Sequence, residues 1–81
     1  MENKHYNLGL AIKKVRHEKG VTAKFICSKL DIHASTLSKY ESNQRKIKAD
    51  TLNYLANALG VTVDYFFNQN VGDMPMKKES A

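Results

Sequence analysis

Apolar residues along the chain fall into short helical stripes, each closed by a residue that breaks the pattern. Leu8, Ala11, Ile12 and Val15 recur at i, i+3, i+4 and i+7, one face of a helix. Asn7 stands where a cap is needed and Gly20 where the chain must leave the helix, so a first helix is predicted over about 7–19. Thr22 is placed to cap a second helix, about 23–30, whose buried stripe is Ile26, Cys27 and Leu30. Asp31-Ile32-His33 interrupts it, and a third short helix is predicted over about 34–42 with Leu37 and Tyr40 facing inward.

Ser42 to Lys48 has no apolar period and reads as a loop. Leu52, Leu55, Ala56 and Leu59 define a fourth helix that stops at Gly60, and Thr62 begins another capped turn carrying Val63, Phe66 and Phe67. No β-alternation or internal repeat is present, so the fold class is all-α. One domain is expected over 1–67, followed by a polar tail, 68–81, loosely ordered from about residue 69.

Charge sharpens the picture through its distribution. The net charge is +5, but residues 1–48 hold eleven Lys or Arg against four acids, a net +7, leaving −2 for the remainder. A domain polarised in this way attracts polyanions through counterion release, although a solvated Lys-rich surface has the same composition. Charge alone does not separate the two. No apolar run approaches the ~20 residues of a membrane span, and the first residues lack the apolar stretch of a secretory signal. With a single cysteine, Cys27, no intrachain disulfide is possible, and the expected compartment is the reducing cytoplasm.

Two short helices joined by a three-residue turn have the form of a helix-turn-helix, spanning about 22–42. Three patterns occur together and in order: Arg16-x3-Gly20; Ile32-x4-Leu37-Ser38-Lys39-Tyr40-Glu41; and Leu52-x2-Leu55-Ala56-x2-Leu59-Gly60-Val61-Thr62-Val63-Asp64-Tyr65-Phe66. In these the chain resembles the Cro and phage lambda and 434 repressor family, also called XRE-type, from about Leu8 to Phe67. The resemblance implies a five-helix, lambda-repressor-like DNA-binding domain. Two positions depart from the family pattern: Ala23 stands where glutamine usually touches phosphate, and Asp31 where glycine is favoured in the turn. Asp tolerates positive φ better than most residues.

Site residues follow from the same resemblance. His33, Ala34, Ser35, Ser38 and Lys39 occupy the base-reading positions, with Ser and Lys suited to base edges and Ala34 to a thymine methyl. Thr22, Ala23 and Lys24 on one side, and Asn43, Gln44, Arg45, Lys46 and Lys48 on the other, occupy phosphate-contacting positions. For Lys48 a solubilising role fits nearly as well. Arg16 and Glu41 match a pair that joins helix 1 to helix 3 as a structural salt bridge. Val63, Tyr65, Phe66 and Phe67 form an apolar surplus, expected partly in the core and partly at a homodimer interface.

Other chemistry finds little purchase. Cys27 reads as a small buried residue at a helix contact rather than a redox sensor, and His5, His17 and His33 have no metal-ligand spacing. No phosphate cradle, catalytic triad or paired-carboxylate cleft occurs, so neither an enzyme nor a cofactor is expected. The expected function is a sequence-specific transcriptional regulator, a repressor binding double-stranded palindromic operator DNA as a homodimer, nucleoid-associated when bound. Two roles of the same fold stand as alternatives. One is an antitoxin with a protein partner, for which a tail carrying Met74 and Met76 could serve; the other is a restriction–modification controller protein.

Overall fold

A computed structural model describes residues 6–69 of the chain. Five helices follow one another: α1 (Leu8–Glu18), α2 (Ala23–Leu30), α3 (Ala34–Glu41), α4 (Ala49–Leu59) and α5 (Val63–Phe67). No strand occurs among the described residues. Helices 1 and 3 begin or end one residue inside the expected limits because the flanking residues act as caps. The expected tail lies outside the described residues from position 70 onward, as do Met74 and Met76.

Local chemistry accounts for the boundaries. Asn7 Oδ1 accepts from the Leu10 amide at 3.1 Å, Thr22 Oγ1 from Phe25 at 3.0 Å, and Thr62 Oγ1 from Tyr65 at 3.3 Å. The first four helices all stop in the same way. Gly20, Asp31, Asn43 and Gly60 take left-handed φ of 68°, 56°, 63° and 73°. The next residue's amide then bonds back five positions: Val21 to Arg16, Ile32 to Cys27, Gln44 to Lys39 and Val61 to Ala56, at 2.8–3.0 Å. This closure satisfies carbonyls that the helix end leaves open. Val21, Ile32 and Val61 also turn their side chains onto the core, which fixes the exit direction of each helix.

The core is built from Ile12 and Val15 of α1, Ile26 of α2, Leu37 of α3, Leu52, Leu55, Ala56 and Leu59 of α4, and Phe66 of α5. α1 packs on α3 and α5, α2 on α3 and α4, and α4 on α5. Phe66 is fully buried inside its own chain at 0% exposure, so its expected place at a dimer interface is corrected to the core. A five-residue helix makes little more than one turn, and the two adjacent phenylalanines must point apart. Phe67 takes the outward position, 47% exposed.

Two polar ties complete the packing. Arg16 grips Glu41 with both prongs, Nε to Oε2 at 2.8 Å and Nη2 to Oε1 at 3.1 Å, while Nη1 donates to the Val21 carbonyl at 3.2 Å. The side chains are only 12% and 10% exposed, so the pair is held out of most of the solvent. Its hydrogen bond to Glu41 raises the Arg16 guanidinium above its ordinary pKa, overcoming the opposing effect of burial. At the other end of α1, the Tyr6 hydroxyl reaches the Phe66 and Gln69 carbonyls, each at 2.7 Å, and its ring lies 5.8 Å from that of Phe67. Gln69 is held further by Lys14 and by the Tyr65 carbonyl, so ordered contacts run past the expected boundary at 67.

Removing one partner of the Arg16–Glu41 pair strands a largely buried charge. Arg16→Met or Glu41→Leu alone should each cost about 3 kcal/mol in urea unfolding, and the double variant less than the two added together. Burial pushes the Tyr6 phenol above its ordinary pKa. A raised folded-state value means that its stabilisation is complete below the unfolded value of 10.0 and is lost as pH climbs through the folded one. Tyr6→Phe should cost about 1 kcal/mol at neutral pH and flatten the alkaline arm of the stability profile, read by thermal unfolding from pH 7 to 11.

Candidate nucleic-acid interface

The surface of interest is assembled on α3. Leu37 and Tyr40 are its buried residues, three apart, and they orient the helix by anchoring one face in the core. Ala34, Ser35, Ser38 and Lys39 are exposed on the side of α3 away from those anchors, and His33, the N-cap just before it, is exposed as well. Small side chains at 34, 35 and 38 let another molecule approach the helix backbone closely. His33 occupies the N-cap position but makes no side-chain cap bond, which leaves its ring and the first α3 amides available.

α2 meets this surface through the left-handed turn at Asp31. The residue at the family's glycine position adopts φ 56°, as its tolerance for that region allows. At the other end of α2, Thr22 and Lys24 are exposed beside the helix N-terminus, whose dipole favours an anion. Ala23 is half-buried and packs against the core, so its side chain offers a phosphate nothing; only its backbone amide can serve there. Lys29 lies 5.8 Å from the centre of the exposed Phe25 ring.

After α3 the chain carries Gln44, Arg45, Lys46 and Lys48, all exposed. Arg45 and Lys46 edge an open cleft of about 550 Å³ between this loop and the start of α1. Asn43 behaves differently. Its Oδ1 accepts from the Gly9 amide at 2.9 Å, and its Nδ2 donates to Asn7 Oδ1. The structure therefore gives its amide group partners in α1 and its cap, while the side chain stays exposed like those of its neighbours.

Gly9 has a reason of its own. A Cβ there would fall onto the Tyr40 carbonyl oxygen and within 2.7 Å of the Glu41 carbonyl and Asn43 Oδ1. The end of α3 can approach α1 only because that side chain is missing. A glycine inside an otherwise periodic helix is a sequence signal for such an approach. The contribution of Asn43 had no such local signal.

On the far side, Tyr65 and Phe67 are 37% and 47% exposed, Val63 is half-buried against the core, and Lys19 Nζ sits 5.7 Å from the centre of the Tyr65 ring. Cys27 is half-buried against the core between its helix neighbours. Among the described residues, no cluster of His, Cys, Asp or Glu is placed to hold a metal, and no helix is long and apolar enough to cross a membrane.

Known proteins place this arrangement. A helix-turn-helix family model matches residues 12–66. The HTH-type transcriptional regulator ImmR of Bacillus subtilis (strain 168) is 36% identical over 64 residues, covering 79% of this chain and 50% of ImmR. The chain thus spans about half the length of that curated relative. Among solved structures, the restriction–modification controller protein C.Esp1396I superposes with a TM-score of 0.67 at 30% identity, over 75% of this chain and 80% of that one. SinR, a master regulator for biofilm formation whose structure was solved in complex with DNA, superposes with a TM-score of 0.67 at 27% identity, over 75% of this chain and 98% of SinR. These relatives bear the names of regulators rather than enzymes. With its five helices, its left-handed turn between α2 and α3 and a family match across more than half its length, the chain belongs to the helix-turn-helix family of the Cro and phage-repressor (XRE) type.

Proposed function

We infer that this protein is a sequence-specific DNA-binding transcriptional regulator that lays α3 in the major groove of duplex DNA. The observation that carries the reading is the division of α3 into a face sunk in the core by Leu37 and Tyr40 and an exposed face of His33, Ala34, Ser35, Ser38 and Lys39. Lys39 and Ser35 read base edges there, and Ala34 meets a methyl group. Thr22, Lys24 and the α2 N-terminus hold phosphates on one side of the groove, and Gln44, Arg45, Lys46 and Lys48 on the other. The likeness to a regulator solved on DNA supports the same docking. Such a protein works in the cytoplasm, on the nucleoid.

The active species is a homodimer on a palindromic operator, joined through Tyr65 and Phe67. Two exposed aromatic residues on the short α5 are apolar area that a partner copy would cover. A two-fold axis then sets two α3 helices about 34 Å apart, one helical turn of DNA. Repression by occlusion of the promoter is the first reading. Control of a restriction–modification system is the second, favoured by the likeness to C.Esp1396I, and a reporter placed behind the bound site tests repression.

Selection of bound sites from random duplexes should return a symmetric consensus. Against that consensus, Lys39→Ala and Ser35→Ala should lose affinity while binding to scrambled duplex is unchanged. Arg45→Ala should weaken both and reduce the salt slope by about one. Equal losses from both kinds of variant would show that the two sets of contacts had been sorted wrongly. In sedimentation, Phe67→Ser should convert a dimer to a folded monomer; a wild-type monomer that binds the full site one copy at a time removes the dimer.

A further inference from the structure

We propose that Asn43 is a positioning residue for the DNA-reading helix, fixing its angle from the N-terminal end of α1 rather than touching DNA. The proposal rests on the DNA-binding reading above and adds to it the device that aims α3. Gly9 is the second residue of α1, and its amide is one of the donors that a helix start leaves without a partner. Leu10 and Ala11 are supplied by the Asn7 side chain and carbonyl, which are local to the helix. Gly9 is supplied from across the fold, by Asn43 Oδ1 at 2.9 Å. The same side chain donates its Nδ2 to Asn7 Oδ1, so it joins the cap and the first turn of α1 at once.

The backbone of Asn43 makes the reach possible. Its left-handed φ of 63° closes α3 and turns the side chain back toward α1, and the absent Cβ of Gly9 leaves room for it. The end of α3 is then tied to α1 at two places. Arg16 holds Glu41 near the C-terminal end of α1, and Gly9 with Asn7 holds Asn43 near its N-terminal end. Positions 9 and 16 lie about 10 Å apart along the helix axis. One tie alone permits α3 to pivot about it; two ties separated by that distance prevent the pivot. Base readout by short side chains such as Ser35 and Ser38 depends on that angle, whereas contacts from long, flexible Arg45 and Lys46 do not.

Asn43→Gly tests this cleanly because glycine keeps the left-handed backbone and removes both side-chain bonds. Affinity for the duplex selected by the wild-type protein should fall about tenfold, the order of one misplaced base contact, with scrambled-duplex affinity and salt slope unchanged. Gly9→Ala should reproduce that loss by wedging the helices apart. Equal loss on both duplexes with a shallower salt slope makes Asn43 a phosphate contact and overturns the proposal. Lower thermal stability with both affinities intact makes its role purely structural and overturns it too. In the DNA-free protein, Asn43→Gly should also speed hydrogen exchange of the Gly9 amide and move α3 amide resonances; unchanged spectra overturn the positioning role by themselves. If the wild-type protein selects no duplex, the DNA-binding reading fails, and with it any role in aiming α3 at DNA, even if these spectra bear out the tie to α1.

Discussion

The hold of α1 on the last turn of α3 is the constraint from which the working surface follows. α3 is eight residues long, too short to be stable alone, and only Leu37 and Tyr40 bury it. Two apolar anchors fix which face of the helix turns inward but leave it free to tilt. The two-pronged grip of Arg16 on Glu41, in a largely desolvated position, removes much of that freedom because a guanidinium and a carboxylate meet well only in a plane. The same guanidinium also takes the Val21 carbonyl, so the entry to α2 and the end of α3 are set from one side chain.

Most of this architecture was legible in the residues because its signals are local. Asn7, Thr22 and Thr62 lie next to the helices they cap, and Gly20 and Gly60 sit where helices must end. Asp31 could be read as strained but tolerated, and it is left-handed. The Arg16–Glu41 pair spans 25 residues, and only the likeness to a family brought it into view. The Asn43 contacts reach back 34 and 36 residues, and those of Tyr6 reach 60 and 63; no periodicity encodes such partners. The error over Phe66 has a related cause. In a segment as short as α5, an apolar pair gives no phase from which to decide which ring turns inward.

The distribution of charge acquires meaning only on this frame. Lys24, Lys39, Arg45, Lys46 and Lys48 belong to the helix-turn-helix or to the loop leaving it, and all are exposed. Arg16, by contrast, is spent within the fold. The exposed aromatics divide in a similar way: Tyr65 and Phe67 lie on α5, with Phe67 against Tyr6 and Tyr65 near Lys19, while Phe25 and Tyr54 belong to α2 and α4. Among the described residues, the basic composition thus resolves into cations engaged within the fold, Arg16 foremost, and several that remain available to a polyanion.

The clasp made by the Tyr6 hydroxyl has a kinetic consequence. Closing a loop of some sixty residues costs chain entropy that the neighbouring helices need not wait for, since their caps and turns form from nearby residues. The clasp therefore belongs after the folding barrier, and its strength governs how fast the native state opens more than how fast it forms. The lifetime of the assembled domain thus depends in part on where Tyr6 meets the exit of α5.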